Sequence, residues 1–182
     1  MGSFYQNGLV ANLHDFSYGV KGLNNYERLE NDLKIFSKKN PMELILPSLY
    51  SELEGKALPK IINEISKTSY LNHIIIGLDR ASKSEYNKAN NFFKKLNQPF
   101  SILWNDGPRL MALDKELQEK GLSPREFGKG RNVWYCIGMT IARGEAQSVA
   151  LHDCDILTYD RTLLAKLFYP VANPAFNFEF CK

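Results

Sequence analysis

The alternation of short apolar runs with amphipathic segments constrains the fold of this chain more than any other feature. After residue 40, four runs rich in apolar and β-branched residues are separated by segments whose apolar residues recur three and four positions apart. The predicted strands cover residues 42–47, 73–78, 100–104 and 147–152. Strands separated by helix-length segments form right-handed βαβ units, so the sequence predicts an α/β fold with a mostly parallel sheet flanked by helices.

The intervening segments carry helix signals at their starts and along one face. Residues 58–65 place apolar side chains at helical spacing, and Ser82 with Glu85 three positions later forms a capping-box signature. Asp160 is a candidate cap for a helix carrying Leu163, Leu164 and Leu167. Further helices are predicted from Leu110 to near Gly121 and over residues 133–141.

The first forty residues differ from the rest of the chain. An Asn- and Gly-rich opening is followed by Tyr26, Leu29, Leu33 and Phe36, which have the spacing of a packing helix. We therefore expect an N-terminal helical extension over residues 1–40 and one domain over residues 41–182.

Composition and charge exclude several classes of protein. Twenty-three Lys and Arg oppose 20 Asp and Glu, a net charge of +3 that argues against nucleic acid or an anionic membrane as partner. No stretch approaches the ~20 apolar residues of a membrane-spanning helix, and the first residues lack the pattern of a signal peptide. The 3 cysteines are far apart, which favours a reducing, cytoplasmic location. The oligomeric state stays open, with a homodimer among the alternatives.

Polar residues follow each predicted strand. Residues 47–52 follow the first strand, Asp79 and Arg80 the second, residues 105–108 the third, and residues 153–155 the fourth. Asp and Asn also favour turns, so each acid taken alone could be a loop cap. In an open parallel sheet, however, the carboxyl ends of the strands border one ligand crevice, and four polar ends predict a site there.

The acidic pair Asp153 and Asp155 is the most specific of these signals. Two carboxylates just past a strand can bind one Mg²⁺ or Mn²⁺, whose coordination shell is completed by phosphate oxygens and water. Such a metal neutralises the charge that develops on a leaving diphosphate. The same spacing also occurs by chance, and that alternative stays open on these two residues alone.

A second phosphate-binding signal lies before the predicted helix 133–141. Gly128, Lys129 and Gly130 combine flexible backbone, a cation and a helix N-terminus, and together these features attract phosphate. The alternative is an ordinary loop with a solvated lysine. No P-loop motif is present in the sequence.

Four motifs and the C-terminal segment together resemble one enzyme family. The segments are residues 46–49 (Leu-Pro-Ser-Leu), 103–108 (Leu-Trp-Asn-Asp-Gly-Pro), 128–134 (Gly-Lys-Gly-Arg-Asn-Val-Trp), 152–156 (His-Asp-Cys-Asp-Ile), 168–170 and 177–182. In combination they resemble the retaining GT-A glycosyltransferases of the glucosyl-3-phosphoglycerate synthase type, relatives of glycosyltransferase family 2. The resemblance covers nearly the whole chain. It implies a GT-A, Rossmann-like fold that binds a nucleoside diphosphate sugar.

The resemblance also implies roles for individual residues. The nucleoside pocket would be lined by Pro47, Ser48, Leu49 and Glu52, with Asp79 holding the uridine. Lys129, with Gly130 beside it, would contact the nucleotide or its phosphates. Asp153 and Asp155 would form the motif that binds Mg²⁺ or Mn²⁺, and Asp155 is favoured over Asp153 for direct ligation. We expect Asp155 and Lys129 to act in catalysis by stabilising the leaving diphosphate.

The implied reaction transfers glucose, most directly from UDP-glucose, to 3-phosphoglycerate with retention at the anomeric carbon, as in glucosylglycerate biosynthesis. Relatives use mannose or accept glycerate. Members of the family are about twice as long, so the acceptor-binding part is expected outside this chain. Two other classes stay open. One is a non-catalytic sugar-nucleotide-binding or regulatory module, and the other is a nucleotidyltransferase, although the glycine-rich loop of that class does not follow the first strand.

Overall fold

The four predicted strands form one parallel sheet in the computed structural model, which describes residues 9–11 and 25–182. The strands of the described chain are β1 (Leu9–Ala11), β2 (Met42–Leu49), β3 (Leu71–Asp79), β4 (Phe100–Trp104), β5 (Ser148–Leu151) and β6 (Phe178–Cys181). The main sheet has the order β4-β3-β2-β5, and every neighbouring pair in it is parallel. The predicted α/β class with a parallel sheet is confirmed.

Helices occupy the segments between the strands, as the apolar spacing predicts. They are α1 (Asn25–Phe36), α2 (Ala57–Ile65), α3 (Lys83–Phe93), α4 (Pro108–Glu119), α5 (Lys129–Arg143) and α6 (Arg161–Ala172), with a 3₁₀ helix at Tyr50–Glu54. The capping box is present, since the Ser82 amide donates to Glu85 Oε2 at 2.7 Å. The Asp160 carboxylate caps α6 by accepting the Thr162 amide at 2.7 Å. In the described part of the chain, no helix is long and apolar enough to cross a membrane.

The helix α5 begins four residues earlier than the apolar spacing predicts. Lys129 is its first residue, so this side chain belongs to a helical turn and not to a loop. The preceding Gly128 has φ 140°, a backbone conformation that glycine adopts far more readily than other residues. Gly144, with φ 64°, ends the helix in the left-handed conformation.

The two faces of the sheet are packed differently. Alternate residues of a strand point to opposite faces. One face carries Leu44, Leu46, Ile74 and Ile76 into the main core, which includes apolar residues of α1, α2, α3 and α6. The other face forms a smaller cluster in which Cys136 of α5 packs on residues of β2 and β3. The sheet therefore lies between two helical layers, and α5 alone contributes a buried side chain to the second cluster.

The helical part of the predicted N-terminal extension packs onto this domain. Leu29 and Leu33 of α1 belong to the same core as α2 and α6. The division at residue 40 remains a prediction, and residues 1–8 and 12–24 of the extension lie outside the described residues. The strands β1 and β6 form a separate two-stranded parallel sheet that the sequence does not predict.

Candidate functional site

Three of the four polar strand ends border one cleft of about 210 Å³ at the carboxyl edge of the sheet. The remaining one, residues 105–108, follows the edge strand β4 and does not line this cleft. The walls of the cleft come from the ends of β2 and β3, the start of α5, and the segment after β5. The lining residues are Pro47, Ser48, Leu49, Glu52, Asp79, Arg80, Gly128, Lys129, Asn132, Asp153, Cys154 and Asp155. All of the predicted site residues except Gly130 line this cleft.

Gly130 lies in the first turn of α5 and is not among the lining residues. A Cβ added to it would have no heavy atom within 4 Å, so packing does not require glycine at this position. Gly128 borders the cleft instead. The ligand-binding role of Gly130, like that of every predicted site residue, remains a prediction.

Glu52 is held in place by the turn that it helps to form. The Leu49 amide donates to Glu52 Oε2 at 3.0 Å, which caps the 3₁₀ helix and fixes the carboxylate at the cleft. Ser48, on the same wall, is buried. The end of β2 therefore presents a backbone turn and one anchored carboxylate to a ligand.

The end of β3 places Asp79 and Arg80 on the cleft wall. The Arg80 amide donates to Asp79 Oδ1 at 3.1 Å, and Arg80 has φ 55°, which is uncommon for a residue other than glycine. The next amide, of Ala81, donates to Asp106 Oδ2 at 2.9 Å and so ties this turn to the end of β4. The sequence places Arg80 at a strand end, but nothing in the sequence indicates its backbone conformation.

Lys129 and Asp153 form an ion pair across the cleft. The pair joins the first turn of α5 to the segment after β5. The predicted phosphate-binding lysine is therefore in contact with one of the two predicted metal-binding carboxylates. Their side chains are 58% and 46% exposed, so water screens the attraction and the pair can open at small cost. The charge of Asp153 is therefore already compensated by a lysine in the protein without ligand.

Asn132 fixes the position of α5 against the sheet. Its Nδ2 donates to the Gly77 carbonyl of β3 at 2.8 Å, and the residue is buried. A Cβ at Gly77 would lie 1.8 Å from Asn132 Oδ1, so the helix approaches the strand closely only because residue 77 is glycine. Asn132 is a lining residue that the sequence alone does not identify, although it stands three positions after Lys129.

The buried groups behind the acidic pair are neutral. Burial lowers the pKa of His152, whose Nδ1 lies 3.0 Å from the Asp153 carbonyl. Burial also raises the pKa of the Cys154 thiol far above its usual range, and the nearby acids act in the same direction as lesser causes. Because the Cys154 thiol keeps its proton at neutral pH, it supplies no reactive thiolate to the cleft.

The acidic side chains of the cleft suit a cation that binds together with phosphate. No group of three or more His, Cys, Asp or Glu side chains in the described residues could hold a metal ion. Asp153 and Asp155 offer two carboxylates at the cleft wall. Mg²⁺ is commonly bound through one or two carboxylates together with substrate phosphates and water. These two residues therefore fit Mg²⁺ or Mn²⁺ bound with a diphosphate.

The parallel sheet and the polar cleft at its carboxyl ends are consistent with a GT-A, Rossmann-like domain. The chain is 43% identical over 182 residues to the glucosyl-3-phosphoglycerate synthase of Persephonella marina. The matched region covers 100% of this chain and 44% of that protein. The chain is 37% identical over 180 residues to the protein of the same name from Methanococcoides burtonii, covering 98% of this chain and 42% of the relative.

The comparisons confirm the resemblance to glucosyl-3-phosphoglycerate synthases over at least 98% of this chain. The chain spans less than half the length of these curated relatives. No family model matches it.

Proposed function

We propose that this domain binds a nucleoside diphosphate sugar, UDP-glucose foremost, in the cleft, and that it supplies the donor half of a glucosyltransferase acting on 3-phosphoglycerate. The convergence of the predicted donor residues carries the proposal. They come from four separate segments of the chain, and all except Gly130 line one cleft. Both relatives are named as synthases of this kind.

The distribution of charge supports one orientation of the donor. Residues 47–49 and Asp79 form the wall at the ends of β2 and β3, which suits the nucleoside. Lys129 of α5 and the pair Asp153 and Asp155 after β5 also line the cleft, and this ion-paired part suits a diphosphate with its cation. In this orientation the phosphate that is bonded to the sugar would lie next to the ammonium group of Lys129 and the carboxylates of Asp153 and Asp155.

The proposed chemistry stabilises a leaving group. A bound divalent cation supplies charge neutralisation at the diphosphate. Lys129 would donate a hydrogen bond to a phosphate oxygen, and Asp155, with Asp153, would hold the cation in place. The acceptor hydroxyl would attack the anomeric carbon from the face that the diphosphate leaves. The bond from that carbon to the diphosphate oxygen would break, and the hydroxyl proton would pass to the leaving diphosphate. Electrostatic stabilisation of this kind is commonly the largest catalytic contribution, so no enzymic nucleophile is needed.

A second candidate function is sugar-nucleotide binding without transfer. The two functions share the donor cleft and differ only in turnover.

Calorimetric titration tests the shared donor site. UDP should bind, Mn²⁺ should tighten its binding, and uridine should bind with little dependence on metal. An affinity for UDP that does not respond to Mn²⁺ would contradict the metal-assisted site. Transfer of labelled glucose from UDP-glucose to 3-phosphoglycerate then separates the two candidates, since only the first predicts turnover.

A further inference from the structure

A buried carboxylate connects α4 to the first turn of α5. Asp114 is 6% exposed and accepts hydrogen bonds from Ser123 Oγ at 2.6 Å and from Gln118 Nε2 at 2.7 Å. It also accepts hydrogen bonds from the Tyr135 hydroxyl and from Arg131 Nη2, both on α5. Both carboxylate oxygens are therefore used, and two of the four donors belong to the helix that carries Lys129.

The charge state of this cluster makes it a firm anchor. Burial acts to raise the pKa of Asp114, but the hydrogen bonds from Ser123 and Tyr135 and the charge of Arg131 outweigh it, so the pKa lies below its usual range. The carboxylate is thus ionised at neutral pH. Its partner Arg131 is 11% exposed, so neither charge can be rehydrated without moving the helix.

The direction of the side chains shows what the anchor can control. Residues two apart on a helix do not share a face, so Arg131 points to α4 while Lys129 points to the cleft. Asn132 attaches the same turn to β3 through the Gly77 carbonyl. Because Gly128 lies just before the turn, the backbone there has little stiffness of its own.

We infer that Asp114, acting through Arg131, is a positioning residue that sets the first turn of α5 so that Lys129 reaches the diphosphate. The inference rests on the proposed function of the cleft. It assigns Asp114 a larger effect on the phosphate part of the ligand than on the nucleoside part. Lys129 shares the first turn of α5 with Arg131, whereas Asp79 of the nucleoside wall only borders the same small cavity as Arg131 and Tyr135.

The far end of α5 offers a matched control. Arg143, its last residue, donates from Nε to Glu43 Oε1 at 3.0 Å, and Glu43 is 1% exposed. The chemistry is the same as at Asp114, a buried carboxylate paired with an arginine of α5, but the contact lies at the end away from the cleft. Glu43→Gln therefore disturbs the anchorage of the same helix without disturbing the turn of Lys129.

The experiment measures the affinity of the full chain for UDP with Mn²⁺ and for uridine, using Asp114→Asn, Glu43→Gln, Lys129→Ala and the double variant Asp114→Asn/Lys129→Ala. Asp114→Asn should weaken UDP binding about fivefold and leave uridine binding within about twofold. Glu43→Gln should leave both affinities unchanged even where it lowers the melting temperature. In the Lys129→Ala background, Asp114→Asn should cause no further loss of UDP affinity.

Several outcomes would overturn the inference, and they separate it from the proposed function. If Lys129→Ala weakens UDP binding but Asp114→Asn does not, the donor site stands and the positioning role is wrong. Equal losses for UDP and uridine, or losses that add in the double variant, would indicate general destabilisation and also overturn it. If Lys129→Ala changes nothing, both the role of Lys129 and this inference fail. Should Asp114→Asn not fold, Tyr135→Phe, which removes one hydrogen bond to Asp114, must reproduce the selective loss for UDP.

Discussion

At the scale of single residues, the ammonium group of Lys129 lies beside Asp153, where a metal cation would bind in the proposed site. The ion pair is exposed, so it adds little to the stability of the fold. A divalent cation bound at Asp153 and Asp155 would compete with the ammonium group for the same carboxylate. Lys129 would then be released toward the phosphates that accompany the metal. The residue is therefore expected to oppose metal binding alone and to favour binding of the diphosphate.

Lys129→Ala should separate these two effects. UDP affinity should fall by about 1–3 kcal/mol, the range of a charge-assisted hydrogen bond, while the affinity for Mn²⁺ without nucleotide should rise. Lys120→Ala is the control, because that side chain is also 58% exposed, pairs with Glu116 and does not line the cleft. Calorimetry on both variants checks the prediction, and a weaker Mn²⁺ affinity in Lys129→Ala would refute the competition.

Asp155→Ala should abolish the gain in UDP affinity that Mn²⁺ provides. The residue is exposed at the cleft wall, so the free energy of unfolding of the protein without ligand should change little. Uridine affinity, which needs no cation, should be unchanged. Titrations of UDP with and without Mn²⁺ on wild type and variant check this, and a surviving metal effect would remove Asp155 from the metal site.

At the scale of elements, the close approach of α5 to β3 decides where the lysine of the cleft lies. The helix can pack on the strand only because Gly77 has no side chain, and the contact is then closed by Asn132. A helix displaced outward would carry Lys129 away from Asp153. The geometry of the cleft therefore depends on a glycine near the carboxyl end of the buried strand β3.

Gly77→Ala should destabilise the fold by about 1–3 kcal/mol, the usual cost of overpacking, because the new Cβ meets Asn132 Oδ1 at 1.8 Å and Cys136 Sγ at 2.6 Å. It should also weaken UDP binding. The matched control is Gly138→Ala on α5, where a Cβ meets nothing within 4 Å and helix propensity favours alanine by about 0.5–1 kcal/mol. Urea unfolding measures both, and equal effects of the two substitutions would contradict the packing argument.

At the scale of the whole molecule, the edge of the sheet opposite the cleft carries a buried histidine. His73 is buried, and its Nε2 lies 2.9 Å from Ser101 Oγ. Burial is the main cause that lowers its pKa, the charge of Arg143 lowers it further, and Glu43 and Glu145 act in the opposite direction. The folded protein therefore holds this histidine neutral where the unfolded chain protonates it.

The sign of the pH dependence follows from that difference. Below the unfolded pKa of about 6.5 the unfolded state binds more protons, so the free energy of unfolding should fall as the pH drops from 7 toward the folded pKa. His73→Gln should reduce this slope but not remove it, because burial lowers the pKa of His152 as well. Urea unfolding at pH 7.5 and pH 5 measures the slope, and an unchanged slope in His73→Gln would exclude His73 as its source.

The sequence alone determined the parallel α/β fold and the edge where the site lies. Apolar periodicity is a local property, so residues 42–47 and 73–78 identify their strands without knowledge of their neighbours. The polar residues after β2, β3 and β5 could be placed together because the carboxyl ends of parallel strands share one edge, whereas residues 105–108 after the edge strand β4 do not line the cleft. The capping residues Ser82 and Asp160 could be predicted because capping, like apolar periodicity, is a local property that acts within a single turn.

Only the tertiary structure decided how the site is held. The start of α5 at Lys129 was not readable, because the glycines around it have low helix propensity and tertiary contacts stabilise the turn. The pairing of β1 with β6 and the contact of Arg131 with Asp114 join residues that are distant in sequence. Periodicity and motif spacing carry no information about such partners, because these contacts form only after the strands and helices have packed.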